Sequence, residues 1–203
     1  MLGCLLEKQQ TTPDAYPLTL NSLRLACNQS TNRDPVVDYD EATIRSAIDR
    51  LSRRGWVRLA SGPGSRVAKF RHLADEALGL SPRELALLCV LMLRGPQTPG
   101  ELRQRGERLY PFRDVDEIEQ VLAGLAEREL AEQLPRRPGQ KEQRYTQLLG
   151  GGDEERPAAD EHVVEYAGTP AGDDRLGAVE RELEELRAEI RALRAAIAEH
   201  RNT

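Results

Sequence analysis

The sequence predicts an α+β protein, mainly α with small β-hairpins, built as tandem winged-helix domains followed by a C-terminal coiled-coil helix. Three observations lead to this prediction. A helical pattern changes near residue 55 into two short alternating runs, the same change recurs about 75 residues later, and a heptad pattern closes the chain. The 203 residues are 31% charged and only 4% aromatic, which is typical of a helical protein with modest cores.

The first unit has its clearest signals between residues 40 and 72. A third helix is predicted over 40–54, and Gly55 ends it. Two alternating runs, "WVRLA" and "RVAKFRHL", flank the turn sequence "SGPGS" and predict a β-hairpin. The apolar stripe of the helix consists of Ile44, Ala47, Ile48 and Leu51.

A second copy of this pattern occupies residues 125–148. Leu51 aligns with Leu125 and Trp56 with Leu130, both 74 residues apart, and Phe70 aligns with Tyr145 at an offset of 75. Upstream, "LLEKQQTTP" aligns with "LMLRGPQTP" at an offset of 86. A repeat of this length indicates two related domains and not a solenoid of short units.

Capping signals mark the helices of the second copy. Ser81 with Glu84 and Thr98 with Glu101 each form a capping-box pattern, and each is followed by a proline in the first turn. A third helix is predicted over 114–129. Its apolar face consists of Val115, Ile118, Val121, Leu122 and Leu125.

The predicted organisation has four parts. Residues 1–75 form the first winged-helix domain, 76–148 the second, 149–175 an acidic flexible linker, and 176–200 a coiled-coil helix. Alignment of the copies places the counterpart of residue 81 before Met1. We therefore expect the first helix of the first domain to be shortened at its N-terminus.

The last helix carries a heptad seam that predicts a homodimer. Glu182 and Glu189 at g positions each lie five residues before an arginine, Arg187 or Arg194, at an e position, which favours a parallel pair of helices. The alternative is a single amphipathic helix that packs on its own domains, because three heptads are short. The predicted dimerisation residues are Leu176, Val179, Leu183, Leu186, Ile190, Leu193 and Ile197.

Double-stranded DNA is the predicted partner of the first domain. In winged-helix proteins the third helix enters the major groove and the hairpin contacts the backbone or the minor groove. Residues 1–75 hold 11 Lys and Arg against 8 Asp and Glu, and basic side chains neutralise phosphates. A solvated helix face is the alternative for these side chains. The predicted nucleic-acid-binding residues are Thr43, Arg45, Ser46, Arg50, Arg53, Arg66 and Lys69.

The second domain has a different charge pattern. Its third helix carries six acidic residues, so we expect it to pack or to bind protein and not to read bases. The long polar segment 11–39 of the first domain is a second candidate surface for a protein partner. Its polar side chains either form hydrogen bonds inside a buried loop or face that partner.

The segment "GCLLEKQQTTPDAYPLTLNSLRLACNQSTNRDPV", together with "LSRRGWVRL", resembles the YceH-like family of uncharacterised bacterial proteins. The resemblance covers about residues 2–148. It implies a tandem winged-helix fold and a cytoplasmic bacterial location. It implies no activity and no catalytic residues.

Other functional classes find little support in the sequence. His72, His162 and His200 lie far apart, and no phosphate-binding glycine loop joins a strand to a helix. We therefore predict no catalytic residue, no cofactor and no metal, and no apolar run suggests a membrane partner. Three scattered cysteines suit buried thiols in the cytoplasm. The predicted function is a DNA-binding regulator, and the alternative is a protein-interaction scaffold made of winged helices, without direct DNA binding.

Overall fold

The computed structural model describes residues 1–61, 67–136 and 142–150. It is mainly helical with two small antiparallel sheets, so the predicted α+β class is confirmed. The described residues belong to one compact unit. Among them, no helix is both long and apolar enough to span a membrane.

The first half of this unit contains three helices and a three-stranded sheet, in which the last strand in sequence is the central one. A short 3-10 helix, Pro13–Ala15, follows the first helix. In chain order the elements are α1 (Leu2–Thr11), β1 (Leu18–Thr19), α2 (Leu20–Cys27), α3 (Glu41–Arg53), β2 (Val57–Leu59) and β3 (Lys69–His72).

The second half repeats this order after a short connecting helix, α4 (Ala74–Leu78), that the sequence did not predict. The predicted division between residues 75 and 76 falls within α4. The remaining elements are α5 (Pro82–Arg94), α6 (Pro99–Gly106), α7 (Val115–Glu127), β4 (Ala131–Gln133) and β5 (Tyr145–Gln147).

Backbone hydrogen bonds of the two halves correspond at the predicted offsets. Trp56 N donates to Leu51 O at 2.9 Å, and Leu130 N donates to Leu125 O at 2.9 Å. Ala60 N donates to Lys69 O, as Leu134 N does to Arg144 O. Each third helix ends before a residue with positive φ, +72° at Gly55 and +55° at Glu129. The two helix-to-strand junctions therefore share one backbone geometry.

The upstream alignment was less accurate. Leu18 pairs with Phe70 in the first half, and Gln97 pairs with Tyr145 in the second. Thr19 caps α2 just as Thr98 caps α6. The counterpart of Thr98 is therefore Thr19 and not Thr12, because the first half holds an inserted 3-10 turn between its first two helices.

Two hydrophobic clusters form the core, and α5 contributes to both. Cys89 of α5 packs in the first cluster, whereas Leu87 and Leu91 pack in the second. α1 and α5 approach closely at Gly3, where an added Cβ would meet Met92 Cβ at 3.0 Å. The three cysteines are buried and free, as predicted.

Candidate nucleic-acid interface

Helix α3 turns one face to the core and the other to solvent. Asp40 starts the helix, since its Oδ1 accepts a hydrogen bond from Thr43 N at 2.7 Å. Ile44 and Ile48 are buried in the first core cluster. Their spacing of four residues places them on one stripe. The opposite face of α3 is therefore available to a partner.

The predicted nucleic-acid contacts lie on this exposed face or beside it. All five α3 residues of the prediction are exposed, and so is Lys69 at the start of β3. Arg66 lies outside the described residues. The five predicted residues of α3, all exposed, are Thr43, Arg45, Ser46, Arg50 and Arg53.

Acidic residues reduce the positive charge of the same face. Arg45 Nη2 lies 2.7 Å from Glu41 Oε1, and both side chains are about 60% exposed. Such an exposed pair one helical turn apart contributes little to the free energy of folding. A phosphate can therefore replace Glu41 as the partner of Arg45. At about 100° per residue, exposed Asp49 points close to the centre of the solvent face, between Arg45 and Arg53. Asp49 would therefore oppose a phosphate directly.

The loop before α3 is held by hydrogen bonds from Asn28. Its Nδ2 donates to Tyr39 O at 2.8 Å, and its Oδ1 accepts from Tyr39 N at 2.9 Å. Nδ2 also donates to Asp38 Oδ1 at 3.2 Å. These bonds join the C-terminus of α2 to the residue before the α3 cap, and so they set where α3 begins.

A buried ion pair fastens the same loop to α1. Arg33 Nη2 lies 2.6 Å from Glu7 Oε2, and the two side chains are only 3% and 6% exposed. Arg33 also donates to Ala26 O and Asn32 O. The polar segment 11–39 therefore contains an internal hydrogen-bond network. Of the two roles predicted for its polar side chains, Asn28 and Arg33 have the first, which is hydrogen bonding inside the loop.

The base of the β2–β3 hairpin is closed by a serine. Ser61 Oγ accepts from Lys69 N at 2.8 Å and donates to Val67 O at 3.2 Å. Lys69 therefore has a fixed backbone position close to the hairpin turn. Residues 62–65 of the predicted turn, like Arg66 after it, lie outside the described residues.

Helix α7 of the second half presents fewer acids to solvent than its sequence suggests. Glu117 is one of the six acidic residues of the predicted third helix, but it is only 6% exposed. Its Oε2 accepts from Arg113 N at 3.0 Å, and this bond lowers the pKa of Glu117. Asp116, Glu119 and Glu127 remain exposed. The helix stays acidic, but Glu117 serves as a structural acceptor.

A basic groove at the C-terminal end of α3 was not predicted. It has a volume of about 610 Å³ and is lined by Arg50, Arg53 and Arg54 together with Trp56. The Arg54 guanidinium lies 5.2 Å from the centroid of the Trp56 ring, within cation–π distance. The signal available in the sequence was "RRGW", in which an aromatic residue follows two arginines.

Other reactive groups of the first half are buried in structural roles. His72 is 3% exposed, and its Nε2 pairs with Gln9 Oε1. Burial lowers the pKa of His72. Within residues 1–61, 67–136 and 142–150, no cluster of three or more His, Cys, Asp or Glu side chains could hold a metal ion. The seven predicted dimerisation residues, 176–197, lie outside the described part of the chain.

Comparison with known proteins relates the chain to a bacterial family. Residues 1–140 match the model of a family described as "Protein of unknown function, DUF480". A UPF0502 protein of Pelobacter propionicus is 48% identical over 204 residues, which cover 97% of this chain and 91% of the relative. A UPF0502 protein of Shewanella sp. strain ANA-3 is 43% identical over 208 residues, which cover 97% of this chain and 95% of the relative. The chain therefore belongs to the DUF480 family, and its resemblance to the YceH-like bacterial proteins is confirmed.

Proposed function

We propose that this chain is a tandem winged-helix protein that binds double-stranded DNA through its first half and acts as a regulator. In this proposal α3 enters the major groove, and the β2–β3 hairpin contacts the backbone. The observation that carries it is the solvent face of α3, where polar and basic side chains stand opposite a buried apolar stripe.

The order of elements supports the winged-helix assignment. Each half contains three helices followed by two antiparallel strands, and a residue before its second helix pairs with the last strand. A hairpin directly after the third helix is the wing of such domains. The matching hydrogen bonds of the two helix-to-strand junctions support two related domains.

The proposed DNA-binding residues divide into those that contact base edges and those that contact the DNA backbone. Arg45 and Ser46 reach base edges from the middle of the helix, because arginine forms bidentate hydrogen bonds with guanine. Arg53 and Lys69, together with Arg50 and Arg66, neutralise phosphates. Thr43 contacts the backbone from the first turn.

A parallel coiled coil completes the proposal by making the protein a homodimer. Two copies of α3 would then face two half-sites of one DNA site, as in other dimeric helix-turn-helix proteins. The seam from Leu176 to Ile197 supports this pairing by its heptad spacing. The proposed protein is not an enzyme. Its proposed location is the cytoplasm, which three free cysteines support.

DNA binding at two salt concentrations tests the proposal. The full chain is titrated into pooled fluorescent genomic fragments at about 50 mM and about 200 mM salt. Several phosphate contacts predict an affinity loss of about 10³-fold or more across this range. Absence of binding at the lower salt concentration would contradict the proposal.

A protein-interaction scaffold is the second candidate, and exposed apolar side chains favour it. Leu25 and Val36 are each 57% exposed, and Tyr39 is 42% exposed. Large exposed apolar side chains suit a protein partner better than a phosphate backbone. Together with acidic α7, they support docking through segment 11–39 or the second half. Absence of DNA binding by the full chain at about 50 mM salt, together with a co-purifying protein that a Leu25→Ser, Val36→Ser variant loses, would support this role over DNA binding.

A further inference from the structure

A recessed cleft in the second half brings together three arginines that are far apart in sequence. Its volume is about 450 Å³, within the range of small-molecule sites. Arg94 ends α5, Arg105 lies in α6 and Arg144 precedes β5. Asp34 of the first half also lines it. The cleft thus lies where the loop before α3 meets the second half.

Glu101 sets the positions of two of these arginines. Its Oε1 lies 3.4 Å from Arg144 Nη2 and 3.7 Å from Arg105 Nη2. Its Oε2 accepts from Thr98 N at 2.9 Å in the α6 capping box. Arg144 Nη1 also donates to Pro96 O at 2.8 Å. The two guanidinium groups are therefore oriented before any ligand binds.

The positive charge of the cleft exceeds its negative charge. Three arginines stand against Glu101 and Asp34, and Arg108 lies in the adjoining cavity with Arg94 and Arg105. Burial lowers the pKa of the Arg94 guanidinium, and the like charges of Arg105 and Arg108 lower it further. An anion would relieve this repulsion.

Gln97 supplies a buried acceptor without a partner. The residue lines the cleft and is 2% exposed. Its Nε2 donates to Arg94 O at 3.0 Å and to Pro96 O at 2.9 Å, which fixes the orientation of the amide. Its Oε1 has no hydrogen-bond partner within residues 1–61, 67–136 and 142–150. A buried acceptor in this state requires a donor.

We propose that this cleft binds a small molecule carrying a phosphate group and a hydrogen-bond donor. Arg94, Arg105 and Arg144 hold the phosphate, because a guanidinium group can donate two parallel hydrogen bonds to two oxygens of one phosphate. A ligand hydroxyl or protonated phosphate oxygen donates to Gln97 Oε1. The site is independent of DNA binding by α3.

The recessed position favours a small molecule over a duplex. The Arg105 and Arg144 side chains are 31% and 34% exposed, against 62% for Arg45 on the open face of α3. A concave site encloses a compact ligand, whereas a duplex presents its phosphates to convex, exposed side chains.

Titration of the ¹⁵N-labelled full chain with inorganic phosphate, at constant ionic strength maintained with sodium chloride, tests the proposal. We expect saturable amide shifts concentrated at residues 94–105 and 144–145. Sulfate matches phosphate in shape but carries no proton at neutral pH, so it should bind at least tenfold more weakly. Glycerol 3-phosphate, which supplies its own hydroxyl groups, should bind at least as tightly as phosphate.

Variants localise the effect. Arg94→Gln and Arg144→Gln should each weaken phosphate binding at least tenfold, while exposed Arg83→Gln serves as the matched control and should leave it unchanged. Circular dichroism checks that each variant is folded. Because two different arginines are substituted, the second variant still tests the proposal if the first does not fold. Absence of saturable shifts, equal binding of sulfate, or full binding by both variants would overturn the proposal. So would a loss of duplex DNA affinity in both variants without any phosphate binding.

Discussion

Arg33 and Glu7 form a buried ion pair whose Nη2 and Oε2 atoms lie 2.6 Å apart, although 26 residues separate them in sequence. The pair connects α1 to the loop that leads to α3. Arg33 also donates to the carbonyl of Ala26, near the C-terminus of α2. One guanidinium therefore holds three parts of the first half together, and the position of α3 depends on it.

Removal of Arg33 should destabilise the fold strongly. Arg33→Ala leaves the Glu7 carboxylate buried without its partner, which costs about 3–5 kcal/mol of unfolding free energy. Arg33→Lys should also destabilise, because lysine lacks the planar fork that reaches Glu7 and Ala26 together. Urea denaturation measures both effects. Arg45→Ala, which breaks the exposed pair with Glu41, is the matched control and should change stability by about 0.5 kcal/mol or less.

Stability should fall in mild acid because His72 is buried. Burial lowers the pKa of His72 in the folded state below its ordinary value of about 6.5, with a further lowering by Arg71 that Asp75 and Glu76 oppose. The unfolded chain therefore binds a proton first as pH decreases. Stability from this group is complete above about pH 6.5 and is lost as pH falls towards the lowered pKa.

Denaturation of wild type and His72→Gln between about pH 5 and pH 7.5 measures this effect. The difference between the two proteins removes the contributions of His162 and His200, which both chains retain. We expect the wild type to lose stability more steeply than the variant below about pH 6.5. Parallel curves would contradict the assigned role of His72.

The two helix-to-strand junctions offer a matched test of backbone strain. Gly55 and Glu129 occupy corresponding positions with φ of +72° and +55°. A side chain in this conformation costs about 1–2 kcal/mol. Gly55→Ala should therefore destabilise the protein by about 1 kcal/mol, while Glu129→Gly should leave stability unchanged or raise it slightly. Equal losses in both variants would show that the junctions are not equivalent.

The coiled-coil prediction concerns residues outside the described part of the chain. It is tested by measuring the molecular mass of the protein in solution. Sedimentation of the full chain should give a dimer, and the chain without residues 172–203 should give a monomer. The point variant Leu186→Lys, which places a charge at a d position, should have the same effect as the deletion. A monomeric full chain would contradict the heptad prediction.

Charge variants of α3 and β3 should separate base reading from phosphate binding. Arg45→Ala should reduce the preference for one sequence, whereas Lys69→Ala should weaken all sequences alike and reduce the salt dependence. Asp49→Asn should strengthen binding several-fold at about 50 mM salt, since it removes a carboxylate from the proposed interface. Arg83→Ala, an exposed change in the second half, is the control. Tighter binding by Asp49→Ala but not Asp49→Asn would point to side-chain size instead of charge.

Local signals made much of the fold predictable. The capping boxes at Ser81 and Thr98 form as expected, and Asp40 caps α3. These features depend on residues three positions apart, so the sequence displays them directly. α4 was missed because five residues carry too little periodicity, and β1 because it is only two residues long.

Long-range features were not predictable. The sequence gives no sign that Glu7 pairs with Arg33, or that Arg94, Arg105 and Arg144 line one cleft, because distant parts of the chain form both sites. The exposed face of α3 was predictable, since its buried stripe follows helical spacing. The groove beside Trp56 was not predictable, because Gln147, Leu149 and Gly150, which are distant in sequence, form part of its lining.

Titration of the ¹⁵N-labelled full chain with a duplex selected from genomic fragments, at about 50 mM salt, tests most directly whether the first half reads DNA. We predict amide shifts concentrated at residues 43–53 of α3 and residues 67–71 of the hairpin. The acidic helix α7 should remain unaffected. Absence of shifts in α3, or shifts confined to α7, would contradict the claim that the first half reads DNA.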